Sequence, residues 1–161
     1  MGVNVDFWRR VQAEHAEWQL RNFGHQEPWQ MLLGIVEEVG EIRDAMTEED
    51  QADAVGDTVI FLISFCSAHG FDMGDVVTRF VDASADRSIA SSLGRLAHHT
   101  LKLSQGIRGG KTEHLVALRK ECARTLHAMS AGNPGDLEPV VQAVWDVVKL
   151  RDWRRAPQDG M

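Results

Sequence analysis

Apolar positions recur along most of the chain at intervals of three and four, the spacing of one face of a helix. Phe7, Trp8, Val11, His15, Trp18 and Gln19 line up as a first stripe, and Asn22-Phe23-Gly24 supplies its stop. Pro28 suits the first turn of a second helix, whose stripe of Leu32, Ile35, Val36, Val39 and Ile42 runs to about Met46. Thr47-Glu48-Glu49-Asp50 reads as a turn and cap cluster. Beyond it Val59, Ile60, Phe61, Leu62, Ile63 and Phe65 leave almost no polar side, so a buried helix is expected, ending at His69-Gly70. Thr58 to Phe65 also suits a strand by composition, but no partner strand is evident, and an orphan strand leaves its backbone unpaired. A further helix is expected over Asp72 to Asp82. The predicted fold class is all-α, a helical bundle.

The pattern then returns. Ser91-Ser92-Leu93-Gly94-Arg95-Leu96-Ala97-His98 lies over Glu37-Glu38-Val39-Gly40-Glu41-Ile42-Arg43-Asp44, with the hydrophobic and glycine positions kept and every Glu replaced. Lys120 to Leu126 corresponds loosely to Asp53 to Val59, and Leu137 to Asp146 to Met73 to Asp82. Two readings fit: an internal duplication whose second copy kept its packing and lost its acids, or coincidence between amphipathic helices. The duplication reading makes residues 1–161 a single domain, with a metal-binding repeat over 1–86 and a degenerate repeat over 87–155.

The acids change the picture from architecture to chemistry. Glu37, Glu38 and Glu41 share one side of the second helix, and Asp53 and Asp57 share one side of the third. Glu38 borders the apolar stripe, whereas Glu37 and Glu41 lie further round and suit a solvated face equally well. Asp57 opens an apolar run and so calls for a cation, a helix N-terminal role or a bound metal. Facing helices would pool five carboxylates. Two like charges about 4 Å apart repel by about 4 kcal/mol at an effective dielectric of about 20, so the cluster needs a cation or retained protons. All-oxygen ligation points to Mg²⁺ or Mn²⁺.

Glu37-Glu38-Val39-Gly40-Glu41 followed by Asp57 resembles the signature of the MazG-like, all-α nucleoside triphosphate pyrophosphohydrolases, EExxE and then ExxD. The resemblance covers roughly Trp18 to Gly70, with Asn22-Phe23-Gly24, Trp29 and Leu33-Gly34 similar to bacteriophage-type members. It implies a helical bundle that uses Mg²⁺, with Mn²⁺ as a substitute, to hydrolyse a nucleoside triphosphate to the monophosphate and pyrophosphate, a housecleaning of the nucleotide pool. It implies Glu38, Glu41 and Asp57 as ligands, and Glu37 as a second-ion ligand or acceptor of the water's proton. Glu37 and Glu38 are the expected catalytic pair. The chain departs from the signature at Ala54, where the last Glu belongs; Asp53, four residues before Asp57, is the candidate substitute. A non-catalytic nucleotide-sensing or protein-interaction module of the same fold is the alternative.

Other residues offer weaker signals. Lys102, Arg108 and Lys111 flank the glycine-rich Gln105 to Gly110 and suit phosphate oxygens, or else a solvated turn. Trp29 suits base stacking or a helix-start staple, and Asn22 joins it as an expected substrate contact. His98 and His99 diverge by about 100° on a helix and make a poor joint ligand set. A di-iron bundle would need Glu-x-x-His pairs, and no Glu has a His three residues on.

Charge and composition narrow the partners. A net charge of −7 disfavours a general polyanion surface, so nucleic acid is not expected, whereas a metal-bridged nucleotide is compatible. Two cysteines without a CxxC, and no His/Cys grouping at zinc spacing, suggest a reduced setting. Neither a signal-peptide core nor an apolar run of membrane-spanning length stands out, which makes a cytoplasmic protein the expectation. Helix faces bearing Trp8, Trp18 and Trp153 leave a homodimer open.

Overall fold

The computed structural model describes residues 2–79, 88–106, 110–158 and 160–161. They form seven α-helices: α1 (Val5–Phe23), α2 (Pro28–Asp44), α3 (Glu48–Ala68), α4 (Met73–Thr78), α5 (Ile89–Ser104), α6 (Lys111–Met129) and α7 (Glu138–Val148). A 3₁₀ turn, Pro134–Leu137, leads into α7, and no strand occurs among the described residues. The expected Asp72–Asp82 helix is real but ends at Thr78; residues 80–87, and with them the boundary between the two supposed repeats, lie outside the described residues.

Local chemistry sets the helix starts. Asn4 Oδ1 accepts from the Phe7 amide at 3.1 Å, Thr47 Oγ1 from Asp50 at 3.0 Å and Asp72 Oδ1 from Asp75 at 2.9 Å, each satisfying an amide that its helix leaves unpaired. Pro28 opens α2, and Gln30 Oε1 reaches back to the Glu27 amide at 2.7 Å. Ala45, Met46 and Thr47 alone separate α2 from α3, so the two pair as a hairpin. α5 and α6 form the other.

The hairpins meet through α2 on α5 and α3 on α6, while α7 packs on α3 and α4 on α6. Each short helix therefore lies against the opposite hairpin. α1 bridges α3, α4 and α7. The core gathers Trp8, Val11, Ile35, Leu62, Ile63, Phe65, Leu96, Leu118, Leu126 and Trp145, all essentially inaccessible. Burial of each such side chain contributes roughly 1.5–3 kcal/mol, which explains why α3, apolar nearly all round, sits at the centre. Close approach fixes its neighbours. A Cβ on Gly56 would lie 2.3 Å from Val144 Cγ2 of α7, and one on Gly34 would lie 2.4 Å from Phe61 Cε1 of α3, so at either position a side chain would displace its neighbour.

Two inner hydrogen bonds correspond across the hairpins. Thr58 Oγ1 donates to the Ala54 carbonyl at 2.8 Å in α3, and Thr125 Oγ1 donates to the Glu121 carbonyl at 2.9 Å in α6. Trp8 and Trp18 are buried, which removes them from the exposed faces expected for a homodimer; their bulk serves the core. No helix among the described residues is long and apolar enough to cross a membrane.

Candidate functional site

Asp57 stands in the third turn of α3 rather than at its start, since the helix begins at Glu48. A helix N-terminal role is thus excluded for it. The half-buried Asp57 and the half-buried Glu38 of α2 line one cavity of about 260 Å³, closed on other sides by His15, Trp18, Phe23, Gln30, Phe61 and Arg151, among others. Arg151 and Asp57 also line a more open groove of about 670 Å³ that Asp53 borders. Glu41 and Asp53 share a third, acidic notch with Asp44 and Asp50. Of the five expected acids, four border these adjoining spaces. Glu37 is exposed and lines none of them.

Like-charge crowding shows in the protonation of the inner pair. Burial pushes the Glu38 carboxyl from its ordinary 4.5 up to about 7, reinforced by Asp57, Glu41, Glu37 and Asp53 in turn. Burial likewise raises Asp57 from 3.8 to about 6, with Asp53 adding to the rise, Arg151 opposing it and Glu41 adding a little. One Glu38 oxygen, Oε2, is buried without any hydrogen-bond partner. A buried carboxylate oxygen left unpaired is costly, and the donor set around it is all oxygen, as a hard dication requires. The residues therefore suit Mg²⁺ or Mn²⁺ in kind. They are not gathered tightly: the one group among the described residues that offers three ligand atoms within 4.8 Å of one another is His98, His99 and His114, not the acids. Ala54, only 4% exposed, contributes no ligand.

Arg151 is the residue that sequence reasoning missed. The chain leaves α7 and folds back along α1, where Trp18 Nε1 donates to the Arg151 carbonyl at 3.0 Å and Asn22 Oδ1 accepts from the Trp153 amide at 2.8 Å. This segment delivers the guanidinium beside Asp57, with its Nε buried and unpartnered. As sequence, Arg151-Asp152-Trp153-Arg154-Arg155 reads either as positive charge closing the last helix or as a tail contact, without saying what it would touch. Nothing local encodes the return path.

The expected substrate contacts fare differently. Asn22 spends both ends of its amide on the protein, donating to the Trp18 carbonyl at 3.0 Å and holding Trp153, so it positions the return segment instead. Trp29 is half-exposed and absent from the cavity wall, where Trp18, Phe23 and Trp153 supply the aromatic faces. Lys102 and Lys111 border a separate cavity of about 180 Å³ with His114, and they line none of the acidic spaces. Arg108 lies outside the described residues. Additional cavity residues include His15, which burial holds neutral by lowering it to about 4, and Gln19, hydrogen-bonded to Ser64.

Compared with protein-family models, with curated proteins and with solved structures, the chain matches none.

Proposed function

We propose that this chain is a divalent-cation-dependent nucleoside triphosphate pyrophosphohydrolase that works at the cavity between α2, α3 and the Arg151 segment. The observation that carries the reading is the orphaned Glu38 oxygen, buried beside Asp57 in a cavity whose one lysine or arginine among the described residues is Arg151. Glu38, Glu41 and Asp57 would hold Mg²⁺ or Mn²⁺, with Asp53 in place of the missing motif Glu. When bound, such ions would supply activation of a water and neutralisation of the charge that develops on the phosphates. Arg151 has a buried donor free to take a phosphate oxygen, and a guanidinium suits that geometry. Trp18, Phe23 and Trp153 offer apolar faces of the kind a nucleobase stacks on, while Gln19, Gln26 and Gln30 offer amides for its edge. Glu37, expected to accept the proton of the attacking water, is exposed and lines none of these spaces, so it is left out of the proposed machinery.

A second reading has its own observation. Ala54 removes a ligand, and the acids stand too far apart for three oxygens to meet within 4.8 Å. A nucleotide-binding module without turnover follows from that. Ion chromatography of products from ribo- and deoxynucleoside triphosphates with Mg²⁺ or Mn²⁺ separates the two. Pyrophosphate plus monophosphate, lost in Asp57→Asn, supports the enzyme; no release across the panel, with nucleotide binding retained, supports the module.

We also infer that α2–α4 and α5–α7 descend from one unit. The exchanged packing of α4 and α7 and the paired Thr58 and Thr125 hydrogen bonds support this reading. In the second unit Ser91, Ser92, Arg95, Glu121 and Arg124 fall where the first has Glu37, Glu38, Glu41, Ala54 and Asp57. Glu121 is buried and paired with Arg95 Nε at 2.7 Å and with Arg124.

A further inference from the structure

The α5–α6 hairpin brings His114 against the adjacent pair His98 and His99, from 15 residues further along the chain. His99 on α5 and His114 on α6 face each other with Nδ1 atoms 3.0 Å apart, and His98 turns its ring to within 5.0 Å of His99 and 6.1 Å of His114, centroid to centroid. One nitrogen from each ring lies within 4.8 Å of the other two. His98 is exposed and the other two are half-buried, so the cluster is open to solvent. The divergence of adjacent helix positions, which argued against His98 and His99 acting jointly, is overcome because the rings extend beyond the helix surface and His114 arrives from the opposite helix.

We propose that His98, His99 and His114 form a binding site for a first-row transition metal ion, Zn²⁺ being the best fit. Neutral imidazole nitrogens suit Zn²⁺, Cu²⁺ and Ni²⁺ and are poor ligands for Mg²⁺. Zinc–nitrogen bonds of about 2.0–2.1 Å in a tetrahedron set the nitrogens about 3.3 Å apart, so the His99–His114 pair stands near its liganded spacing and His98 needs only a side-chain adjustment. The 3.0 Å contact is otherwise a hydrogen bond in which one ring donates its Nδ1 proton to the other. A metal replaces that shared proton. Three protein ligands leave a fourth position for water or an exogenous group, the arrangement of an open zinc site rather than a closed structural one. Lys102 and Lys111, which border the adjoining cavity with His114, oppose a bare dication and so limit the affinity. The site shares no residue with the acidic cavity, and it stands whether or not the chain hydrolyses nucleotides.

The test is calorimetric titration of the untagged chain with ZnCl₂, alongside the visible spectrum on adding Co²⁺. One Zn²⁺ per chain with a dissociation constant of about 1 μM or below is expected, together with the absorption bands of four-coordinate Co²⁺. His99→Ala and His114→Ala should each weaken Zn²⁺ by more than about tenfold, as should the milder His114→Gln. Asp57→Asn should leave it unchanged. Absence of one-to-one binding in the original chain, retention of full affinity in both His114 variants with unaltered far-ultraviolet circular dichroism, or loss of binding in Asp57→Asn would each overturn the proposal.

Discussion

Glu38→Gln isolates the electrostatic burden of the acidic cavity in one change. Gln keeps the shape and removes the charge. In the native fold Glu38 faces Glu37 and Glu41 of its own helix and Asp53, Asp57 and Arg151 from across the cavity, and it is raised to about 7 from 4.5, first by burial and then by those acids. The folded state therefore holds its proton more tightly than the unfolded chain, and linkage gives the sign. Stability is fully present below 4.5, where both states are protonated; it falls as the pH rises and is lost by the time the pH passes about 7. Between those limits a fully buried group would lose about 3 kcal/mol. Glu38 is half-buried, and solvent screening reduces the figure to about 1–2 kcal/mol. Urea unfolding in EDTA, followed by circular dichroism at pH 4 and pH 8.5, reads the difference. Glu38→Gln should match the original chain at pH 4 and exceed it by about 1–2 kcal/mol at pH 8.5. A difference that is the same at both values, or a variant less stable at pH 8.5, would refute the crowding of acids around Glu38.

Two stability changes probe the frame that holds the site. Gly56→Ala places a methyl 2.3 Å from Val144 Cγ2 and pushes α7 away from α3; overpacking of about 1–3 kcal/mol outweighs the gain of up to about 1 kcal/mol in helix propensity, so urea unfolding should show a net loss of about 1–2 kcal/mol. Glu121→Ala strips the buried partner from Arg95 and Arg124 and should cost about 3 kcal/mol in the same assay, the low end for a buried pair because Arg95 keeps 34% of its side-chain surface exposed. Less than about 1 kcal/mol would mean that the arginines find water instead.

Periodicity made the helices legible because burial alone decides their stripes. Pro28, Thr47 and Asp72 announced their helix starts in chemistry that needs no tertiary partner. Glu38 was readable as a border residue, since its place on the wheel is fixed by its neighbours in sequence. Arg151 was not. Its position depends on a turn after α7, on Trp18 grasping its carbonyl and on Asn22 grasping the Trp153 amide, contacts more than 130 residues apart in the chain. Asn22 was misread for the same reason, because a polar residue at a helix end looks available until the segment that occupies it is placed. His98, His99 and His114 show the limit from the other side: spacing rules treat one helix at a time, whereas this cluster is made by the meeting of two.

The two hairpins carry contrasting answers to one electrostatic problem. In α5 and α6 a buried Glu121 is met by two guanidiniums, Arg95 and Arg124, and Ser91 accepts a further bond from Arg95 at 2.6 Å; the carboxylate's charge is matched within the chain. In the proposed duplication Arg95 and Arg124 align with Glu41 and Asp57, and Ser91 and Ser92 with Glu37 and Glu38. Among the described residues Arg151 is the one lysine or arginine lining these spaces, and it cannot match Glu38, Glu41, Asp53 and Asp57 together. Two things relieve that excess: protons, which Glu38 retains in part near neutral pH and Asp57 only toward about 6, or a cation from solution. Under the proposed function a dication would displace those protons, so its binding should release protons and should weaken as the pH falls below about 7, and further below about 6. Around Glu121 two guanidiniums leave no uncompensated negative charge, so in the proposed reading the hard dication is drawn to the acids of α2 and α3 and not to this carboxylate.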